Sequence, residues 1–310
     1  PVDSAREGQQ AEIVLDATPF YGESGGQTGD TGYLEGADFN FIVEDTKKPV
    51  ENFIVHKGVV KSGEIKIGTT ANLVVDLERR KAIAANHSGT HILQAALKAV
   101  LGDHIKQSGS LVNAERLRFD FTHFSKISDE ELRRVETIAN DMIRKNLLVQ
   151  TEVCSLEDAL KTGATAVFDE KYGATVRIVK MGDMSMELCG GTHVERTGDI
   201  GLLKIVHESA IAAGVRRIEA VTGREAVMHI QKSEEELKQT VKFIITGYPS
   251  AKIGADARDL GADAFILKPI KMAELLSVIH VFLEEEETYP LNQKEEKLTL
   301  SDVDNVSQAK

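Results

Sequence analysis

Short apolar runs alternate with turn residues through the first quarter of the chain. Glu12-Ile13-Val14-Leu15, Phe39-Asn40-Phe41-Ile42-Val43 and Ala71-Asn72-Leu73-Val74-Val75 are separated by turns at Gly22, Gly32, Gly36 and Lys61-Ser62-Gly63. Short strands at this spacing predict a small β-barrel over residues 1–80. The period then changes. Ile83, Ala84, His87, His91, Leu93, Ala95 and Leu97 recur at three- and four-residue steps and predict a helix over 77–101, with Gly102 as its C′ residue. Residues 109–122 read as a strand pair. Ser128 and Glu131 form a capping-box pattern that opens a helix to about residue 145. Strand-like stretches at 174–179 and 202–207 continue an α+β pattern rather than a βαβ repeat. Residues 224–240 predict one polar helix carrying Glu234-Glu235-Glu236, and 241–283 read as strand, helix, strand, helix. Residues 284–310 open with four consecutive glutamates, stay polar, and predict a disordered acidic tail.

Composition bounds the class of protein. At roughly 100–200 residues per domain, 310 residues predict about two domains. With 42% hydrophobic and 28% charged residues, wholesale disorder and collagen-like repetition are excluded. No apolar run approaches the roughly 18 residues of a membrane span, so no membrane partner is expected. Pro1-Val2-Asp3-Ser4 opens without the basic and apolar regions of a secretory signal, and without an initiator Met, as expected of a fragment or processed chain. Two cysteines, Cys154 and Cys189, are too few for a disulfide scaffold and predict a reducing, cytoplasmic setting. The net charge of −12 argues against a large phosphate footprint, though not against a small local one.

The chemistry concentrates in two pairs of residues. His87 and His91, at i and i+4 on the predicted helix, share one face about a turn apart. Cys189 and His193 repeat the spacing, but Gly190 and Gly191 between them favour a tight loop over a helix. Three imidazoles and a thiol make a borderline-soft set that suits Zn²⁺ better than Mg²⁺ or Ca²⁺. Both pairs together have a chance expectation of roughly 0.015 in a chain of this composition. The alternative is a satisfied pair of core histidines beside a small buried cysteine. Cys154, His104 and His207 read as core or surface residues. No Ser-His-Asp elbow, P-loop or Rossmann glycine pattern is present.

Several stretches together resemble the alanyl-tRNA synthetase family. They are residues 18–30 (Thr18-Pro19-Phe20-Tyr21-Gly22-Glu23-Ser24-Gly25-Gly26-Gln27-Thr28-Gly29-Asp30), His87-Ser88-Gly89-Thr90-His91 and Gln107-Ser108-Gly109-Ser110. Glu187-Leu188-Cys189-Gly190-Gly191-Thr192-His193 and Gly214-Val215-Arg216-Arg217-Ile218-Glu219 complete the set. The resemblance runs from about residue 9 to 230 and implies a β-barrel domain (1–80) followed by a zinc-binding tRNA editing domain (81–223). A connecting helix (224–240) follows. It implies an aminoacyl-tRNA deacylase that removes Ser or Gly from mischarged tRNA(Ala). It also implies His87, His91, Cys189 and His193 as Zn²⁺ ligands, and Thr90 and Gln107 in the pocket. The aminoacylation domain would precede residue 1, so no ligase activity is expected. Gly89 departs from the Ala usual in that family. Threonyl-tRNA synthetase editing domains share the two pairs but lack the Gly-Gly-Gln loop and the Cys-Gly-Gly-Thr-His form.

Residues 241–283 resemble the C-terminal half of a response-regulator receiver domain, on Phe243-Ile244-Ile245-Thr246-Gly247 and Gly261-Ala262-Asp263-Ala264-Phe265-Ile266-Leu267-Lys268-Pro269. No acidic pair or phosphoacceptor Asp precedes them, so no phosphorelay partner is expected. Gly25, Gly26 and Gln27 are expected near the tRNA acceptor end, the alternative being a plain barrel turn. Arg216 and Arg217 either meet phosphates or pair with carboxylates. Thr90 is the expected contact for a serine hydroxyl. A contrasting reading is an inactive, zinc-stabilised module that binds tRNA or oligomerises, since half a receiver exposes strand edges.

Overall fold

The structure, a computed structural model, describes residues 2–50, 53–165, 173–239, 243–246, 262, 264–268, 271–272 and 275–277. The chain divides into two units, Pro1–Ile230 and Gln231–Lys310.

Six strands open the first unit: β1 (Ser4–Arg6), β2 (Gln10–Val14), β3 (Gly32–Glu35), β4 (Phe39–Val50), β5 (Phe53–Lys66) and β6 (Asn72–Val75). Strict alternation along β4 turns Phe39, Phe41 and Val43 to one face, where they are buried. All pairings are antiparallel, in the order β1-β5-β4-β3-β6, and β2 also pairs with β5. The predicted barrel is thus corrected to a curled, open sheet. Its strands were foreseen, but no pairing among the described residues joins β6 back to β1 or β2. The cause lies in β5, which is long enough to seat β2 at residues 55–59 and β1 at 64–66, leaving both as edges. Ala5 of β1 and Val75 of β6 still share one apolar cluster with Phe20, Leu34, Phe41 and Val60, so the sheet wraps around its core.

The second part of this unit is built on α1 (Leu77–Leu101), capped by the Asp76 side chain accepting from Arg79 N–H at 3.0 Å and ending before Gly102, whose φ is +109°. A four-stranded antiparallel sheet follows the order β12-β13-β8-β7, from β7 (Gln107–Val112), β8 (Leu117–Thr122), β12 (Leu203–Ala212) and β13 (Val215–Thr222). Helix α1 and α2 (Asp129–Arg144) pack on it. Ile92, Leu93, Ala96 and Leu97 meet Phe119, Phe121, Ile218 and Val135 in one core. The capping box at Ser128 and Glu131 forms as the sequence predicts. A smaller sheet, β11-β10-β9, takes β9 (Val149–Ser155), β10 (Thr175–Met181) and β11 (Ser185–Leu188), with the short helix α3 (Leu156–Lys161) beside it. Helix α4 (Gly223–Gln239) follows β13.

Within the second unit, β14 (Phe243–Thr246) and β15 (Ala264–Leu267) pair in parallel, Phe243 opposite Ala264. The helix expected between them and the tail at 284–310 lie outside the described residues, and two strands do not establish a receiver fusion. Among the described residues, no helix is long and apolar enough to cross a membrane.

Candidate metal centre and cavity

Helix α1 is unusual in burying polar side chains through its middle. Asn86, His87, Ser88, Thr90, His91 and Gln94 are all less than a tenth exposed, among Ile83, Ile92, Leu93 and Leu97. Positions 87, 90, 91 and 94 fall at i, i+3, i+4 and i+7, one face of the helix. The imidazoles of His87 and His91 stack at 5.3 Å between ring centroids. Gly89 explains itself here. A Cβ at that position would lie 3.0 Å from Thr222 Cγ2 and 3.3 Å from Leu117 Cδ2, so the helix sits close on the sheet.

Cys189 follows directly on β11, and its loop bends as the two glycines predict. Cys189 N–H donates to Arg177 O at 2.9 Å, and Arg177 returns Nε to Cys189 O at 3.0 Å and Nη2 to Gly191 O. Gly191 has no alternative. A Cβ there would stand 2.1 Å from His87 Cε1 and 2.6 Å from Gln27 Oε1.

This geometry brings the four predicted residues together. One donor atom from each of His87, His91, Cys189 and His193 lies within 4.8 Å of every other. Cys189 Sγ is 3.3 Å from His87 Nε2 and 3.2 Å from His193 Nε2. The Nδ1 atoms are all occupied elsewhere. His87 Nδ1 donates to Gln27 Oε1 at 2.6 Å, His91 Nδ1 donates to Glu187 Oε2 at 3.0 Å, and His193 Nδ1 is 3.1 Å from Ser88 Oγ. A carbonyl and a carboxylate can only accept, so they hold the proton of His87 and His91 on Nδ1 and turn each Nε2 lone pair inward. His91 Nε2 is buried without a hydrogen-bond partner.

Electrostatics of the metal-free cluster favour a thiolate and a neutral His193. Burial pushes the Cys189 thiol up, but the His87 charge and hydrogen bonds from the histidines outweigh it and hold it well below its ordinary value. Burial and repulsion from His87 push His193 down to about 3, so its imidazole is neutral. Burial opposes charge on His91 and Glu187, yet their mutual attraction prevails, raising the imidazole and lowering the carboxyl, so a metal ion bound there would have to displace a proton from His91 Nε2. A thiolate and inward-facing imidazoles form a donor set that fits Zn²⁺. Bond lengths of about 2.3 Å to sulfur and 2.0–2.1 Å to nitrogen give tetrahedral S–N edges of roughly 3.5 Å, close to those present.

A cavity of about 440 Å³ adjoins the cluster. Thr90 and Gln107, the expected pocket residues, both line it, as do Gln94, Arg177, Glu187 and Lys48. Thr90 Oγ1 donates to Asn86 O one turn back at 2.9 Å, leaving its oxygen as an acceptor. Gln107 makes a long contact, 3.4 Å, to Ser110 Oγ.

The Gly-Gly-Gln loop packs against β7. Gly25 and Gly26 turn with φ of +57° and +82°, and Gly26 packs so tightly on β7 that a Cβ would meet Ser110 O at 2.5 Å. Val112 N–H donates to Gly26 O, and Thr28 N–H to Val112 O. The turn thereby delivers Gln27, fully buried, to the cluster. Its Oε1 also accepts from Thr192 N–H at 2.9 Å, and its Nε2 donates to Thr192 Oγ1 at 2.8 Å. The Gln27 carboxamide is thus engaged entirely within the protein. Gly25 does line the cavity. Arg217 forms a bidentate pair with Asp120 at 2.7 and 2.8 Å, and Arg216 pairs with Glu208. Neither arginine lines the cavity.

Sequence reasoning missed the outer partners Glu187, Ser88 and Thr192, the loop clamp Arg177, and Gln94. Only Gln94 carried a readable signal, a polar residue at i+3 from His91 on the ligand face. The others are fixed by contacts distant in sequence.

Comparisons with known proteins accord with this arrangement. Residues 1–79 match the family described as class II (A) tRNA synthetases, and residues 176–219 match the threonyl and alanyl tRNA synthetase second additional domain. The alanine–tRNA ligase of Saccharophagus degradans is 53% identical over 244 residues, 78% of this chain and 28% of that protein. Alanine–tRNA ligase 1 of Lachnoclostridium phytofermentans is 52% identical over 239 residues, 77% of this chain and 27% of its own. The alanine–tRNA ligase of Desulfosudis oleivorans is 52% identical over 231 residues, 74% and 26% respectively. The chain thus spans little more than a quarter of the curated relatives it matches.

Proposed function

We propose that this chain, whose matched three-quarters are alanyl-tRNA synthetase family sequence, is an aminoacyl-tRNA deacylase that clears Ser or Gly from mischarged tRNA(Ala). The observation that carries the reading is the convergence of His87, His91, Cys189 and His193 beside the cavity. One family match covers threonyl and alanyl enzymes alike. Identities of 51–53% to four alanine–tRNA ligases favour the alanine side.

In this reading the four residues hold Zn²⁺, which when bound supplies a Lewis acid that polarises or anchors a substrate group. Four protein donors would fill a tetrahedral set, so such contact requires that one donor gives way or that the shell expands; otherwise the metal shapes the pocket. An aminoacyl ester is already activated, so the remaining work is to orient it and to hold the attacking water. Glu187, a lining carboxylate, is committed to His91 Nδ1 and Ser185 Oγ, and its part is to fix His91. Thr90 and Gln107 present hydrogen-bonding groups to the ester. Lys48, an exposed cation among the lining residues, is placed to meet a phosphate of the acceptor end. Residues 241–283 are read as a receiver-like segment without phosphotransfer chemistry.

Cys189→Ala tests the assignment. It should lower zinc content and Ser-tRNA(Ala) deacylation together. A variant that keeps its zinc and full activity contradicts the reading.

A further inference from the structure

One polar side chain of the cavity has no function in the account so far. Gln94 is 4% exposed, lines the cavity, and sits on the α1 face that carries His87, Thr90 and His91. Every other deeply buried polar side chain along that wall is engaged. His87 and His91 hold Gln27 and Glu187, Thr90 donates to Asn86 O, and Glu187 accepts from His91 and Ser185. The Gln94 carboxamide makes no hydrogen bond to any described residue. A carboxamide without a protein partner at a cavity wall is available to a ligand that pairs with it.

We propose that Gln94 is a specificity-determining residue that reads the side chain of the aminoacyl group. This rests on the deacylase reading above. A carboxamide offers two N–H donors and an acceptor oxygen, and a serine hydroxyl, which both donates and accepts, can satisfy it in either sense. A methyl group would leave it unpaired, and glycine presents nothing. Thr90 is the weaker reader, because its proton is spent on the helix backbone. The α-ammonium is the rival occupant of Gln94. It is common to every aminoacyl ester, so binding it gives no discrimination between them.

The test compares kcat/KM of wild type and Gln94→Met on Ser-tRNA(Ala) and Gly-tRNA(Ala), with zinc content measured in parallel. Methionine keeps the size of the side chain and removes its hydrogen bonds. Loss of one hydrogen bond to a neutral hydroxyl predicts a serine-over-glycine ratio about tenfold lower, with zinc content unchanged. Equal losses on both esters, or no loss, overturn the proposal. If Gln94→Met loses its zinc, Gln94→Leu repeats the measurement. Zinc loss in both variants makes Gln94 a structural residue and overturns the proposal as well. Failure of the wild type on either ester would instead strike the deacylase reading, and the proposal with it.

Discussion

Replacing Gln27 by methionine tests how far the centre depends on a residue that is not itself a ligand. The substitution keeps the volume and removes three hydrogen bonds: from His87 Nδ1 at 2.6 Å, from Thr192 N–H at 2.9 Å, and to Thr192 Oγ1 at 2.8 Å. The Thr192 hydroxyl can turn to other partners. The His87 and Thr192 N–H groups are left without an acceptor, at about 1–3 kcal/mol each when buried. Their sum, about 2–6 kcal/mol, is a large share of the about 5–15 kcal/mol by which a domain is stable. Loss of an outer partner of a metal-binding imidazole also weakens metal by about 10–100-fold. Denaturant unfolding gives the first quantity, and chelator competition for Zn²⁺ gives the second. Gln27→Glu is the matched control, because a carboxylate still accepts from both N–H groups and should hold zinc far better than the methionine variant. A Gln27→Met protein with wild-type stability and zinc affinity within twofold would refute the reasoning.

Other expectations follow from the same geometry. Gly191→Ala should abolish zinc binding at equal protein concentration, since its Cβ overlaps the His87 ring at 2.1 Å; a variant that retains zinc would show that the loop relaxes. Thr90→Val should lower deacylation and narrow serine-over-alanine discrimination in paired assays, an effect that unchanged discrimination would exclude. Within the curled sheet, His56 is buried against Thr18 Oγ1 at 2.8 Å and Ile13 O at 3.1 Å, and burial holds its pKa below 6.5. It is neutral when folded, so its contribution is intact above about pH 6.5 and is lost as pH falls toward the folded value, because the unfolded chain then binds the extra proton. Unfolding free energies measured from pH 7 to pH 5 should therefore fall less steeply in His56→Gln than in wild type; parallel slopes would count against it.

Much of this architecture was legible where the signal is local. Helix α1 begins and ends where its periodicity and Gly102 place it, and the Ser128–Glu131 capping box needs only four consecutive residues. The strands of the first sheet were legible too, but their closure was not. Which strand pairs with which is decided by contacts across the whole domain, and β5 seats two partners along its length. The four clustered side chains were readable because each pair lies within five residues and their combination is rare by chance. Its outer partners were not, since Gln27 reaches His87 across 60 residues and Ser88 reaches His193 across 105. Two adjacent arginines look alike to any RNA-binding pattern, whereas Asp120, the carboxylate that Arg217 meets, lies 97 residues away.

The most direct test of the account is deacylation itself. The purified chain is incubated with Ser-tRNA(Ala) and Ala-tRNA(Ala), with chelator and with added Zn²⁺. Ser-tRNA(Ala) should be hydrolysed and Ala-tRNA(Ala) spared, and chelator should abolish the activity until zinc is restored. Zinc-loaded protein that leaves Ser-tRNA(Ala) intact, or hydrolysis indifferent to the metal, would contradict it.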